Sequence, residues 1–283
     1  MLQQLLYFLY CSLVCLAWGL PVVQLGKTGQ AAKPRPGPLD LILGFFCGLA
    51  LTSLLAALLS LVFPLRPYLL GALTLVPAAW TVAGWGKAVR SDAPPARHFT
   101  VPVTALGYLG FLGLVAALLF TLASRPPVME DMDLYHLQII RWNQEFGTVP
   151  GLANLYLRYG FYSNWLYDVA FFALPFRQEN FLYLNLTLAI WFTGFLLNRL
   201  HAYMQLPPTR QHRFLAGLAL LVLLFCLAEW KLIRGSSRST SYDFAVAVFA
   251  LVFLLLATES LLQPGSRRPA ALPAMLLLAA AAP

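Results

Sequence analysis

Apolar runs of about 20 residues, the length a helix needs to cross the hydrocarbon core of a bilayer, recur along this chain between short polar segments. The pattern predicts spans over residues 2–24, 39–64, 68–86, 101–124, 180–203, 213–230 and 244–262. Residues 161–176 are apolar but short, carry Asn164 and Asp168, and end at Pro175. They read either as a re-entrant or interfacial helix or as a short span. A last apolar run, 270–282, is too short to span and reads as the start of a further helix in a longer protein.

The longest polar excursion, 125–160, follows the fourth span. Within it Leu134, Leu137, Ile139, Ile140 and Trp142 recur near helical spacing, with His136, Gln138, Arg141, Asn143 and Gln144 between them. This alternation predicts a short amphipathic helix lying along the membrane surface, ended by Gly147 and Pro150-Gly151.

Composition agrees with the pattern. The chain is 60% hydrophobic and 11% charged, with a mean hydropathy of +0.72, whereas soluble domains carry about 25% charged residues. The expected fold is therefore all-α, a polytopic transmembrane bundle of about seven spans plus a partial last one. The net charge of +8 reads as cytoplasmic loops, since no base-reading motif is present and nucleic acid is not an expected partner. No Lys or Arg precedes Lys27, so the first run lacks the basic start of a cleaved signal and reads as a retained span. Cys11, Cys15, Cys47 and Cys226 all fall inside apolar runs and read as small apolar fillers, without metal-type or disulfide spacing.

Basic loops set the orientation. Lys27, Lys33 and Arg35 place the loop at 25–37 in the cytoplasm, and Lys87, Arg90 and Arg97 then fall on the same side. The excursion after Ser124 faces outward. If 161–176 does not cross, Arg199, Arg210 and Arg213 are cytoplasmic and Tyr242-Asp243 shares the outer side with Asp131. If it does cross, the basic loop at 199–213 breaks the rule, so the first topology is preferred.

The candidate chemistry lies in Glu130-Asp131-Met132-Asp133-Leu134-Tyr135-His136. Carboxylates beside a bilayer cost desolvation energy unless solvated, paired or metal-bound, which makes them functional candidates. The outer face has no nucleotide-sugar pool, so an enzyme there needs a donor delivered through the lipid. A lipid phosphate donor calls for a carboxylate to orient or deprotonate an acceptor and for cations to hold phosphate. A divalent ion, Mg or Mn, is a further option at Glu130, Asp131 and Asp133. Arg141, Arg158, Lys231, Arg234 and Arg238 supply cations, and the planar fork of Arg suits phosphate.

These residues resemble a family. Asp131 four residues before Tyr135, opening a surface helix directly after a span, is similar to the acidic motif in the first external loop of GT-C-type glycosyltransferases, which use polyprenyl-phosphate sugars. The string from Leu134-Tyr135-His136-Leu137-Gln138 through Val149-Pro150-Gly151-Leu152-Ala153-Asn154-Leu155 to Arg158-Tyr159-Gly160-Phe161, with Ser163 and Trp165, resembles a poorly characterised bacterial GT-C-like group. Ser239-Thr240-Ser241-Tyr242-Asp243 is similar to that group's second acidic position. The resemblance covers about residues 101–262. It implies an N-terminal addition of three spans at 1–98 and a GT-C-like core at 99–283 with its external loop at 125–160. Later spans and a periplasmic domain of the family lie beyond the chain. The resemblance makes Asp131, with Asp133, catalytic, and Tyr135, His136, Arg158, Arg234 and Asp243 substrate-binding. It implies a polyprenyl-phosphate-linked sugar as donor, a glycan or lipid as acceptor, and a site on the extracytoplasmic face of a bacterial inner membrane. Met132 stands where the family often has Glu.

Each candidate also has a plainer role. Asp131 and Asp243 could cap helices, Asp133 and Glu130 could serve as dipole partners in a first turn, and Tyr135 could sit in an interfacial aromatic belt. Arg158, with Tyr156, Tyr159, Phe161 and Trp165, could stack on sugar or simply face the interface. Lys231, Arg234 and Arg238 could meet lipid headgroups, and Asp168 could pair with an Arg across the fold. The rival functions are a lipid or solute transporter or flippase, and a non-catalytic assembly partner of the same fold.

Overall fold

The structure is a computed structural model that describes residues 2–25, 36–90, 103–123, 131–160, 163–173, 183–228 and 239–262. Among these residues the protein is all-helical. Seven long helices occupy the predicted apolar runs: α1 (Leu2–Leu25), α2 (Pro38–Ser60), α3 (Pro67–Arg90), α4 (Val103–Ala123), α7 (Leu184–Met204), α8 (Arg210–Ala228) and α9 (Tyr242–Leu262). Between α4 and α7 lie α5 (Leu137–Glu145) and α6 (Asn164–Phe171). Three helices, α1, α2 and α9, are long and apolar enough to cross a membrane, and α3 and α4 contain shorter apolar stretches, Pro67–Ala83 and Leu109–Thr121. The apolar run at 270–282 lies outside the described residues.

Local chemistry explains the helix boundaries. At α2, Gly37 is extended, Pro38 opens the helix where its missing N–H costs nothing, and the Asp40 carboxylate accepts the Gly37 N–H at 2.7 Å. Tight packing joins α1 to α2. A Cβ on Gly19 would overlap the carbonyl of Gly44, and one on Gly48 would overlap the carbonyl of Cys15. These glycines let two backbones approach more closely than any side chain would allow.

The contacts orient the bundle. The first part of α1 meets the start of α7 through Tyr7 and Tyr183, and the end of α4 through Phe8 and Phe120. Since α1 and α2 pair antiparallel, the end of α2 and the described segment 131–160 share that same end. Asn185 touches Ser239 and Ser241 at the starts of α7 and α9, while Arg199 touches Glu259 near their ends. Thus α7 and α9 run parallel and α8 returns between them. One apolar core runs through both the N-terminal helices and the later ones, with Phe45 stacked on Trp191 at 4.7 Å and Phe46 against Phe195 and Phe249. The Trp191 indole N–H donates to Ser12 at 2.9 Å.

The short α6 rises only about 12 Å at 1.5 Å per residue, too little to cross the ~30 Å core. It enters the bundle beside α2. Its Ser163 cap accepts the Trp165 N–H.

Candidate functional site

The site is built on a distorted turn. Between Met132 and His136 the helix widens, and the Leu137 N–H bonds the carbonyl of Met132, five residues back. Such π-turns shift side-chain phase and concentrate at functional positions. Here the wide turn buries Met132, Tyr135 and His136 and leaves Asp133 and Leu134 exposed. The amphipathic α5 then continues, with Ile139, Ile140 and Asn143 buried and Arg141 and Glu145 outward. The predicted stop lies where expected: Gly147 and Gly151 adopt φ of 77° and 83°, the left-handed region that glycine enters without strain.

Asp131 makes no capping hydrogen bond. Its Oδ1 instead accepts from Arg158 Nη1 at 3.0 Å, with both side chains nearly half exposed. Arg158 belongs to a short tight turn (Leu157–Gly160) whose Tyr159 packs edge-on against Trp142 and Tyr156. A carboxylate and a guanidinium separated by 27 positions are therefore joined at the surface.

Behind this pair lies a buried polar seam. His136 Nδ1 stands 2.7 Å from Thr240 Oγ1, and both residues are at most 1% exposed. The His136 ring meets Tyr135 at 4.4 Å and Tyr242 at 5.7 Å, and the Tyr135 and Tyr242 phenols lie close enough to influence each other. The segment preceding α9 is held by Asn185, whose Nδ2 donates to the carbonyls of Ser239 and Ser241 at 3.0 Å each. A fully buried amide satisfying two loop carbonyls fixes a backbone that no helix ladder could.

Electrostatics follow from this placement. Burial pushes the Tyr135 phenol up to about 12, with Tyr242 and the negative charge of Asp131 adding to the effect. Burial also lowers His136 below its ordinary value, while Asp131 and Asp243 both act against that shift. Both carboxylates are thus close enough to act on one imidazole. Asp243 itself is exposed in the first turn of α9.

The sequence-predicted residues divide as follows. Asp131, Tyr135, His136, Arg158 and Asp243 gather at one end of the bundle. Asp133 is near in sequence but points to solvent. Glu130 and Arg234, like Lys231 and Arg238, lie outside the described residues. Among the described residues no three His, Cys, Asp or Glu side chains gather as a metal site. Asp131 is engaged by Arg158, and Asp133, two positions along a helical segment, does not share its face. These two carboxylates do not fit a divalent ion as they stand.

Sequence reasoning missed Asn185, and it named Thr240 within a motif without giving it a role. An Asn opening an otherwise apolar span was the available signal for the first. Among the described residues Asp168 does not pair with an Arg. It is 1% exposed, and Ser53 is its favourable neighbour. Burial holds this carboxyl well above the usual carboxylate range. Cys11, Cys15 and Cys47 are buried and unbridged, as filler residues should be.

Chemically, the arrangement offers a solvent-facing acid–cation pair backed by two phenols, an imidazole and a second carboxylate. It can orient a hydroxyl and meet an anion. Neither a curated protein nor a solved structure matches the chain. The family model described as a domain of unknown function (DUF8201) matches residues 1–282, and the chain belongs to that family.

Proposed function

We propose that this protein is a GT-C-type membrane glycosyltransferase that moves a sugar from a polyprenyl-phosphate donor to a glycan or lipid acceptor, with inversion. The observation that carries the proposal is the 3.0 Å pair between Asp131 and Arg158, set at the same end of the bundle as Asp243. In this scheme the seven long helices all cross a bacterial inner membrane, α6 re-enters without crossing, and the site opens on the extracytoplasmic face.

The pair suggests how donor and base are coupled. A lipid phosphate competes with Asp131 for the Arg158 guanidinium, because the two free oxygens of the donor phosphodiester accept the same planar fork bidentately. Arg158 turns to the phosphate, and Asp131 is freed to accept a proton. The acceptor hydroxyl oxygen then attacks the anomeric carbon from the face opposite the phosphate. The bond from that carbon to the phosphate oxygen breaks, the hydroxyl proton passes to Asp131, and the lipid phosphate leaves with its electron pair, stabilised by Arg158. Asp243 faces the sugar side of the site, Tyr135 and His136 support it from the buried seam behind, and Asp133 provides a second carboxylate at the rim. No step runs through a divalent ion.

The test is donor turnover by the full chain in nanodiscs, across a panel of polyprenyl-phosphate sugars, comparing the native protein with Asp131→Asn. Release of lipid phosphate by the native protein alone supports glycosyl transfer. Absence of turnover with every donor, from well-folded protein, overturns it in favour of a transporter, a flippase or a silent assembly partner.

A further inference from the structure

At the end of α2 the chain turns back through Leu61-Val62-Phe63-Pro64-Leu65-Arg66, a connection whose first five residues are apolar. A turn between two long helices normally presents polar groups to water. This one leaves Leu61 68%, Val62 74% and Phe63 53% exposed, and the exposed strip runs back onto α2 at Leu58, 67%.

The end of α5 is welded to this turn. The Thr148 N–H donates to the Ser60 carbonyl at 2.7 Å, the Leu65 N–H donates to the Asn143 carbonyl at 2.7 Å, and the Ser60 and Thr148 hydroxyls meet at 2.9 Å. Gly147 passes so close that a Cβ there would stand 2.5 Å from the Ser60 carbonyl oxygen and 2.8 Å from that of Phe63. Phe146, 65% exposed, is thereby carried beside the turn. Two segments far apart in sequence present a shared apolar collar, and the Thr148 and Leu65 amides and the Ser60 and Asn143 carbonyls are paired within it.

We propose that this collar is immersed in the boundary between lipid headgroups and acyl chains, so that the α2–α3 turn and the end of α5 form a phospholipid-contact surface. Continuity argues for lipid as the occupant, since the strip extends the face of a helix long and apolar enough to cross a membrane. The residues just beyond the turn match the level above. Arg66 donates to the Tyr68 hydroxyl at 3.3 Å, and Tyr68 is 63% exposed. A cation and a phenol at the edge of an apolar band suit the phosphate layer, where Arg snorkels and Tyr anchors. The collar fixes the depth of α5, and with it the height of Asp131 and His136 above the acyl chains. It depends on α2 crossing the bilayer and not on glycosyl transfer.

The test uses the full chain in phosphatidylcholine–phosphatidylglycerol vesicles. Cys11, Cys15 and Cys47 are buried, so a Cys226→Ser background leaves an introduced cysteine as the accessible thiol among the described residues. Spin labels at Val62→Cys, Phe146→Cys and, as a control on the polar face of α5, Arg141→Cys report collisions with dioxygen, which concentrates in lipid, and with a water-soluble nickel chelate. Oxygen collisions exceeding nickel collisions at positions 62 and 146, with the order reversed at 141, support immersion. Nickel exceeding oxygen at 62 and 146 places the collar in water and overturns it. Low collisions with both reagents there mean that protein, such as a second copy of the chain, covers the collar, which overturns it equally.

Discussion

His136 Nδ1 and Thr240 Oγ1 meet at 2.7 Å across 104 positions of the chain, in a space closed to water. This contact ties the acidic surface helix to the segment that opens α9, and so brings Asp131 and Asp243 to one place. Removing the hydroxyl with Thr240→Val leaves a buried ring nitrogen unpaired, a loss of about 1–3 kcal/mol. Thermal unfolding in detergent and proteolysis at the 131–160 segment are expected to report that loss.

The same imidazole makes stability depend on pH. Its folded-state pKa lies below the ordinary 6.5, so between those two values the unfolded chain holds a proton that the folded one does not. Folding is then progressively disfavoured as pH falls below about 6.5, and this cost is absent above it. The stability advantage of the native protein over His136→Gln should be largest near neutral pH and shrink on acidification. Melting curves for both proteins across that interval check it, and a pH-independent difference would exclude a lowered pKa at His136.

Asp168 is expected to be a neutral acid. An ionised carboxylate buried there, with Ser53 as its favourable neighbour and no cation beside it among the described residues, would be prohibitively costly. Asp168→Asn should fold with a stability change within about 1 kcal/mol, whereas Asp168→Lys should fail to fold. Infrared spectra should contain the carbonyl band of a protonated acid, and Asp168→Asn should remove it.

Arg199 sits 2% exposed with Nη1 3.1 and 3.2 Å from the Glu259 carboxylate, which also accepts from Tyr203 at 3.0 Å. Breaking a buried pair by removing one partner costs about 3–5 kcal/mol, while replacing both with apolar groups costs far less. Arg199→Met should therefore be more damaging than Arg199→Met with Glu259→Met. A double-mutant cycle on thermal stability measures the coupling.

The α1–α2 contact yields a sharper contrast. Gly48→Ala must push the α1 backbone away at Cys15, whereas Gly71→Ala has nothing within 4 Å of its new methyl. The first should lower the melting temperature markedly, and the second should leave it in place.

Apolar run length predicted the long helices closely, as in 2–24 against Leu2–Leu25 and 244–262 against Tyr242–Leu262. Hydrophobic burial sets those boundaries, and it is written residue by residue. Crossing is harder to read, because α7 and α8 carry Asn185, Arg199, Arg210 and Arg213 within their length. Of the site, Asp131, Tyr135, His136, Arg158 and Asp243 were legible as polar residues at the ends of apolar runs. Their grouping was not. It depends on Asn185 and Thr240, ordinary polar residues whose importance comes from partners more than 50 positions away. The π-turn was equally hidden, since one extra residue in a helical turn leaves no trace in an amphipathic pattern.

Helices α7 and α9 are pinned twice, by Asn185 to the backbone at 239 and 241 and by Arg199 to Glu259, roughly 20 Å further along. Two fasteners that far apart act as a ruler. Sliding either helix by one turn would break both at once, so these two rods must travel together. Any rearrangement of the helices around them therefore leaves the register of this pair in place.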